Sequence, residues 1–272
     1  MVINLYKFDA KDEKNKVVDW IRRYFVQNGQ TSKAVIGISG GKDSSIVAAL
    51  CVEALGKDRV IGVIMPNDIM EDYDIAVELC QTLDIKYYTI PILDAYSGVY
   101  NAVYSALKIE PNDIMTNNTP ARLRMTTLYA VSAMIGGRVA NTCNLSEDYV
   151  GYSTKFGDNV GDFAPLQSFT VREVKEMGRL LLPDKFIDKI PSDGLCGKTD
   201  EESFGFTYED LDNFIINGSS GNASIDDKIC VMHVNSLHKL IEIPHYNSHI
   251  KFNLNKYLDD LASGIVRERD EG

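Results

Sequence analysis

Residues 39–45 read Ser-Gly-Gly-Lys-Asp-Ser-Ser and follow at once on an apolar run, Ala34 to Ile38. Those residue types in that order suit one task, the holding of a polyphosphate. Gly40 and Gly41 let the backbone come close to an anion, and the first N–H groups of a helix starting there have no partner of their own. Ser39, Ser44 and Ser45 add hydroxyl donors, Lys42 adds charge, and Asp43 is placed to hold a metal ion against the phosphates. The plainer alternative is an ordinary helix start capped by Asp or Ser after a glycine turn. Two Gly, three Ser and an Asp behind a buried strand ask for more than a cap. The glycine spacing and the Lys position also differ from the G-x-x-x-x-G-K-[ST] loop of kinases and GTPases.

A second group spans Asn141 to Asp162, NTCNLSEDYVGYSTKFGDNVGD. It follows a predicted strand, so Thr142 to Glu147 belong at that strand's carboxyl end, facing the glycine loop. Glu147 can there share a Mg²⁺ with Asp43, since this ion takes one or two carboxylates plus phosphate oxygens. It can equally stand in the first turn of a helix capped at Ser146. The cysteines, at 51, 80, 143, 196 and 230, form no C-x-x-C pair. That is neither a disulfide framework nor a zinc spacing, and all five read as reduced and structural, Cys51 and Cys80 in the core. The four histidines (233, 238, 245 and 249) crowd the C-terminal stretch. Pro244 breaks any helix that would align them as metal ligands.

A scaffold must bring the two groups together. Val17 to Gln27 reads as an amphipathic helix within an N-terminal helical segment, residues 1–30. Strands follow at Val60 to Met65, Lys86 to Ile90 and Arg138 to Thr142. Helices are predicted at Asp72 to Leu83, about Asp94 to Leu107, and Thr119 to Gly136. Short apolar strands alternating with longer helices mark an α/β fold, a doubly wound, mostly parallel sheet flanked by helices, in a single domain over 1–272. Ligands then bind beyond the carboxyl ends of the strands, where the glycine loop lies. The polar, glycine-punctuated stretch 194–206 is a candidate mobile flap.

With 272 residues, 44% of them apolar and 25% charged, one large α/β domain or two small ones can form. No run has the length of a membrane span, and the N-terminus lacks an apolar signal core, so a cytoplasmic protein is expected. A net charge of −11 argues against nucleic acid as a partner.

The loop resembles the S-G-G-x-D-S signature of the ATP pyrophosphatases, which grips the β- and γ-phosphates as a leaving group. The ordered blocks GISGGKDS, TPARLRM, NTCNLSE, GYSTKFGD and DFAPL resemble ammonia-dependent NAD synthetase from about Ser39 to Lys239, most of the chain. That resemblance implies an adenine nucleotide alpha hydrolase-like fold and a ligase that converts deamido-NAD, ATP and ammonia into NAD, AMP and pyrophosphate. The nicotinate carboxylate is adenylated and ammonia displaces AMP. Carried over by position, the ATP site is Gly37, Ile38, Ser39, Gly40, Gly41, Lys42, Asp43 and Ser44 with Thr142 and Ser192. Asp43 and Glu147 are the Mg²⁺ carboxylates, and Arg122, Lys155, Asp162, His238 and Lys239 the deamido-NAD contacts. Asp158, Lys155 and Asp43 stand at the chemistry, with Asp158 near the ammonia site. His238-Lys239 implies a homodimer in which the tail, 232–272, reaches the partner's substrate. The chain departs from the pattern at Val171, where several members carry Lys, with Lys198 a candidate replacement, and in HKLIEIP, which lacks an Arg after the His-Lys pair. No stretch reads as a glutaminase, so free ammonia is the expected nitrogen source. A GMP synthetase-like amination, a tRNA thiolation and a non-catalytic nucleotide sensor are the alternatives. The absent paired cysteines and the acidic charge weigh against thiolation, the ARLR and GYSTKFGD blocks against the other amination, and the set Glu147, Asp158 and Asp162 against a sensor.

Overall fold

The computed structural model describes residues 7–188, 199–241 and 243. Contacts divide the chain into Met1–Leu240 and Ile241–Gly272, and every element below lies in the first unit. Ser192, Cys196, Lys198, His245 and His249 fall outside the described residues.

Helix α1 (Ala10–Asn28) begins seven residues before the apolar periodicity does, because Asp9 caps it, accepting from the N–H groups of Lys11 and Asp12. Its buried stripe is Val17, Val18, Ile21 and Phe25. Strands β1 (Lys33–Gly37), β2 (Val60–Ile64), β3 (Lys86–Thr89) and β4 (Gly137–Val139) form one parallel sheet in the order β3-β2-β1-β4. The crossovers are α2 (Lys42–Leu55), α3 (Tyr73–Thr82), and the pair α4 (Leu93–Leu107) and α5 (Asp113–Ile135).

Residues of β1 alternate between two cores. Ala34, Ile36 and Ile38 pack with α1, α2 and α3, while Val35 packs with Val63, Met65 and the inner side of α5. Two faces covered by helices make the sheet doubly wound, as the alternation predicts. Two boundaries differ from expectation. Helix α5 starts before Thr119, because Asn112 caps it and Pro120 is carried inside the helix rather than opening it. Strand β4 ends at Val139, not Thr142; Ala140 only bridges Phe163, and the chain leaves the sheet there.

The remaining helices, α6 (Leu145–Val150), α7 (Val171–Gly178), α8 (Asp200–Phe204), α9 (Tyr208–Asn217) and α10 (Ala223–Leu240), gather around a separate cluster that includes Val150, Phe204, Phe206 and Leu211. Of the candidate flap 194–206, residues 194–198 lie outside the described residues and 199–206 join this cluster. Phe204 and Phe206, 3% and 5% exposed, anchor them in that cluster. The strand order reverses between β1 and β4, so the loops after these two strands flank one crevice.

Candidate active site

The loop after β1 is built on Gly40. Its φ of 80° is a left-handed conformation, and a Cβ there would lie 2.7–2.8 Å from Asp72 and Ile75. Gly41 is the N-cap of α2 and offers no side-chain cap, so the first N–H groups of the helix stay free for an anion. The serines divide the work differently from the sequence expectation. The hydroxyls of Ser44 and Ser45 donate to the Gly41 carbonyl at 3.1 and 2.8 Å, and Ser44 also lies 3.1 Å from Ser39 Oγ. They hold the loop's shape, leaving exposed Ser39 as the hydroxyl on its outer side.

Asp43 and Glu147 come together across the crevice. Lys42, only 4% exposed, places its ammonium 2.7 Å from Asp43 Oδ2 and 3.8 Å from Glu147 Oε1. Asn144 Nδ2 donates to Asp43 Oδ1 at 3.2 Å, while Asn144 Oδ1 accepts from the Glu147 N–H at 3.1 Å. Asn144 is the N-cap of α6 and Glu147 its capping-box partner, so the cap falls two residues before Ser146. The helix start that Glu147 completes through Asn144 is also what brings it close to Asp43. Burial and the Asp43 charge raise the Glu147 carboxyl to about 8, with Lys42 opposing. Burial works against the Lys42 ammonium, but Asp43 and Glu147 outweigh it and raise its pKa.

Behind Lys42 lie residues that the motifs did not disclose. The Tyr208 ring centre is 5.6 Å from the ammonium, and its O–H donates to Asp200 at 2.9 Å. No spacing rule connects Tyr208 to residue 42; only the packing of α9 does. Val171 is buried in α7, and the Arg172 side chain turns to Asn213, so neither supplies a charge here. Cys143 is buried, and burial with the nearby carboxylates pushes its thiol well up, which makes it inert as a nucleophile. Cys51 and Cys80 are buried in the core, burial raising Cys80 to about 12. Cys230 is exposed on α10, against the expectation that all five are structural.

The other predicted contacts fall into two groups. Arg122 Nε donates to the Lys155 carbonyl at 3.3 Å, Lys155 Nζ to the His238 carbonyl, and Lys239 Nζ to the carbonyls of Gly151 and Ser153 at 2.7 and 2.9 Å. These join α5, the 151–158 segment and α10 in one patch, with Lys239 seated on its own chain. Asp158 accepts from the Thr154 N–H at 2.7 Å. Its carboxyl is raised by the protein crowded around it, against the Thr154 bonds and Lys239. Asp162 stands apart, accepting from the Val139 N–H at 2.7 Å and the Tyr129 hydroxyl at 3.3 Å. Thr142 lies half-buried between β4 and α6.

The family described as NAD synthase matches residues 13–249. The NH(3)-dependent NAD(+) synthetase of Carboxydothermus hydrogenoformans is 36% identical over 239 residues, 86% of this chain and 97% of that protein. The chain belongs to the NAD synthase family. Two solved structures agree in fold. NMN synthetase from Francisella tularensis superposes with a TM-score of 0.82 at 34% identity, over 89% of this chain and 100% of that one. The NH3-dependent NAD synthetase from Campylobacter jejuni, in complex with the nitrate ion, does so with 0.70 at 27%, over 89% and 100%. As a NAD synthase the chain is a ligase forming a carbon–nitrogen bond, the ATP-dependent amidation of deamido-NAD to NAD. The crevice geometry suits such a ligase. A carboxylate accepts nitrogen poorly until its oxygen leaves as a phosphate ester, so the protein must chiefly orient anions and offset their charge.

Proposed function

We propose that this NAD synthase draws on free ammonia in the cytoplasm and works through an adenylated nicotinate carboxylate. Residues Gly37 to Ser44 receive the phosphates of ATP, Thr142 and Ser192 contact the nucleotide, and Lys42 offsets charge on the departing pyrophosphate. Asp43 and Glu147 would hold Mg²⁺, which when bound neutralises phosphate charge. Two features support that fit: one ammonium already lies between both carboxylates, and Glu147 resists ionising without a further cation. Arg122, Lys155, His238 and Lys239 bind deamido-NAD, a reading supported by their gathering in one patch. Asp162, expected in the same group, has no such support, its oxygens being engaged by Val139 of β4 and Tyr129 of α5. Asp158 takes the proton that ammonium must lose, for which its raised carboxyl suits it.

The observation that carries this reading is the meeting of Asp43 and Glu147, from opposite sides of the strand-order reversal, beside an uncapped glycine turn. The test is ATP–pyrophosphate exchange with and without deamido-NAD, followed by NAD formation on adding ammonium. Exchange that requires deamido-NAD supports it; exchange dependent on another acid, or none, overturns it.

A second reading concerns substrate size. The likeness to an NMN synthetase, 34% identical, makes the smaller nicotinate mononucleotide a second substrate to test in the same crevice. Comparing kcat/KM for deamido-NAD and nicotinate mononucleotide decides between them.

A homodimer completes the proposal. Helix α4 is apolar, yet none of its residues is buried, and Val99, Val103 and Leu107 are exposed along one side.

A further inference from the structure

The amidation reading leaves open how the nitrogen reaches the crevice, and a second cleft bears on that. It measures about 340 Å³ and is lined by Trp20 of α1 and, among others, by Asn141, Asn159, Asp162 and Gln167. An indole and three amides make a wall suited to a small hydrated cation, beside Asp162, whose oxygens are held by Val139 and Tyr129. Two of these side chains reach inward. Asn141, 4% exposed, donates to the Asp158 carbonyl at 3.2 Å and accepts the Cys143 N–H at 2.8 Å. Gln167, exposed on the cleft, donates to Asp148 Oδ2 at 3.1 Å.

Asp148 has no place in the mechanism so far. It follows Glu147 on α6 and turns the other way, to Gln167. It is 4% exposed, its Oδ1 is buried without a hydrogen-bond partner, and among the described residues no Lys or Arg pairs with it. A buried carboxylate with one empty oxygen and no counter-charge is costly, and a small cation carrying N–H donors relieves both defects. Burial raises the Asp148 carboxyl above the usual range, with the Gln167 hydrogen bond opposing and the charge of Asp158 adding to the rise.

We infer that Asp148, held behind Gln167 of this cleft's lining, binds the ammonium ion on its way to Asp158. The inference rests on the amidation reading above. It makes the Trp20–Gln167 cleft an entrance for the nitrogen substrate, separate from the crevice that takes ATP.

The test varies ammonium at saturating ATP and deamido-NAD, using the full chain. Asp148→Asn keeps an acceptor for Gln167 but removes the charge, and the KM for ammonium should rise about tenfold with kcat kept. The KM values for ATP and deamido-NAD should not change. Hydroxylamine, a nucleophile that is neutral at pH 8, should be used by the variant as well as by the wild type. Gln167→Lys sits at an exposed position and puts a tethered ammonium on the same carboxylate. It should raise the KM for ammonium and also the melting temperature. An unchanged ammonium KM in both variants overturns the inference, as does an equal loss with hydroxylamine and ammonium, which would mean a structural role. Failure of the parent reading looks different, since the wild type would then show no exchange dependent on deamido-NAD.

Discussion

Glu147 is a half-buried acid whose ionisation the protein around it and Asp43 make expensive, and the consequence is a measurable pH dependence. Its carboxyl stands at about 8 against an ordinary 4.5. Between those values the folded chain keeps a proton that the unfolded chain has released, so stability falls as pH rises through that window. The melting temperature of the metal-free wild type, relative to Glu147→Gln, should drop by about 5 °C from pH 5 to pH 8. Millimolar Mg²⁺ should cancel the drop, because the ion binds only the ionised form; calorimetry at both pH values checks this. Asp158 is tested by kinetics instead. At limiting ammonium, Asp158→Asn should lose about 10²-fold in NAD formation while keeping ATP–pyrophosphate exchange, since the first half-reaction needs no base there. At this scale the glycine turn and the strand end set Asp43 and Glu147 facing one another, although spacing alone left Glu147 equally a helix-cap residue. Tyr208 and Asp200 were not legible in the sequence, because they reach Lys42 only through the packing of α8 and α9, at sequence distances that no motif spans.

Elements decide whether those side chains meet. Gly40 joins β1 to α2 through a left-handed turn packed on α3, so Gly40→Ala brings both backbone strain and a clash with Asp72 and Ile75. It should cost about 2–3 kcal/mol in urea unfolding and raise the KM for ATP at least tenfold, because the free N–H groups of α2 shift with the turn. Asn144 caps α6 and touches Asp43 at once. Asn144→Ala should therefore cost about 1–2 kcal/mol of stability and also raise the Mg²⁺ concentration for half-maximal rate. Asn144→Ser, which keeps the cap but is too short for Asp43, should restore the stability alone. The alternation of apolar strands and helices was legible in the sequence, including which loops would share a crevice. The boundaries were less so. Polar first turns hid the true start of α1, and Pro120 imitated a helix opening inside α5.

At the scale of the whole molecule, the apolar outer face of α4 remains to be covered. Val99, Val103 and Leu107 recur every four residues on α4, exposed by 40, 42 and 60%. Tyr96, Tyr100 and Tyr104 form a ladder of rings on the same helix, centroids 6.4 and 6.1 Å apart. A monomer gains nothing from a 15-residue apolar helix with no buried residue, whereas a two-fold axis through it would bury the same patch twice. Charges placed there should separate the subunits without disturbing the fold. Light scattering should show the wild type at twice the mass of one chain and the double variant Val103→Asp, Leu107→Asp at one. The loop after β1, Asp43, Lys42 and Glu147 all come from a single chain, and Lys239 binds carbonyls of that same chain. The separated subunit should accordingly keep ATP–pyrophosphate exchange within about threefold. A rise in the KM for deamido-NAD would then measure what the partner's tail adds. A wild type that runs as a monomer, or a charged variant that stays paired, would show that α4 is covered by something other than a second copy.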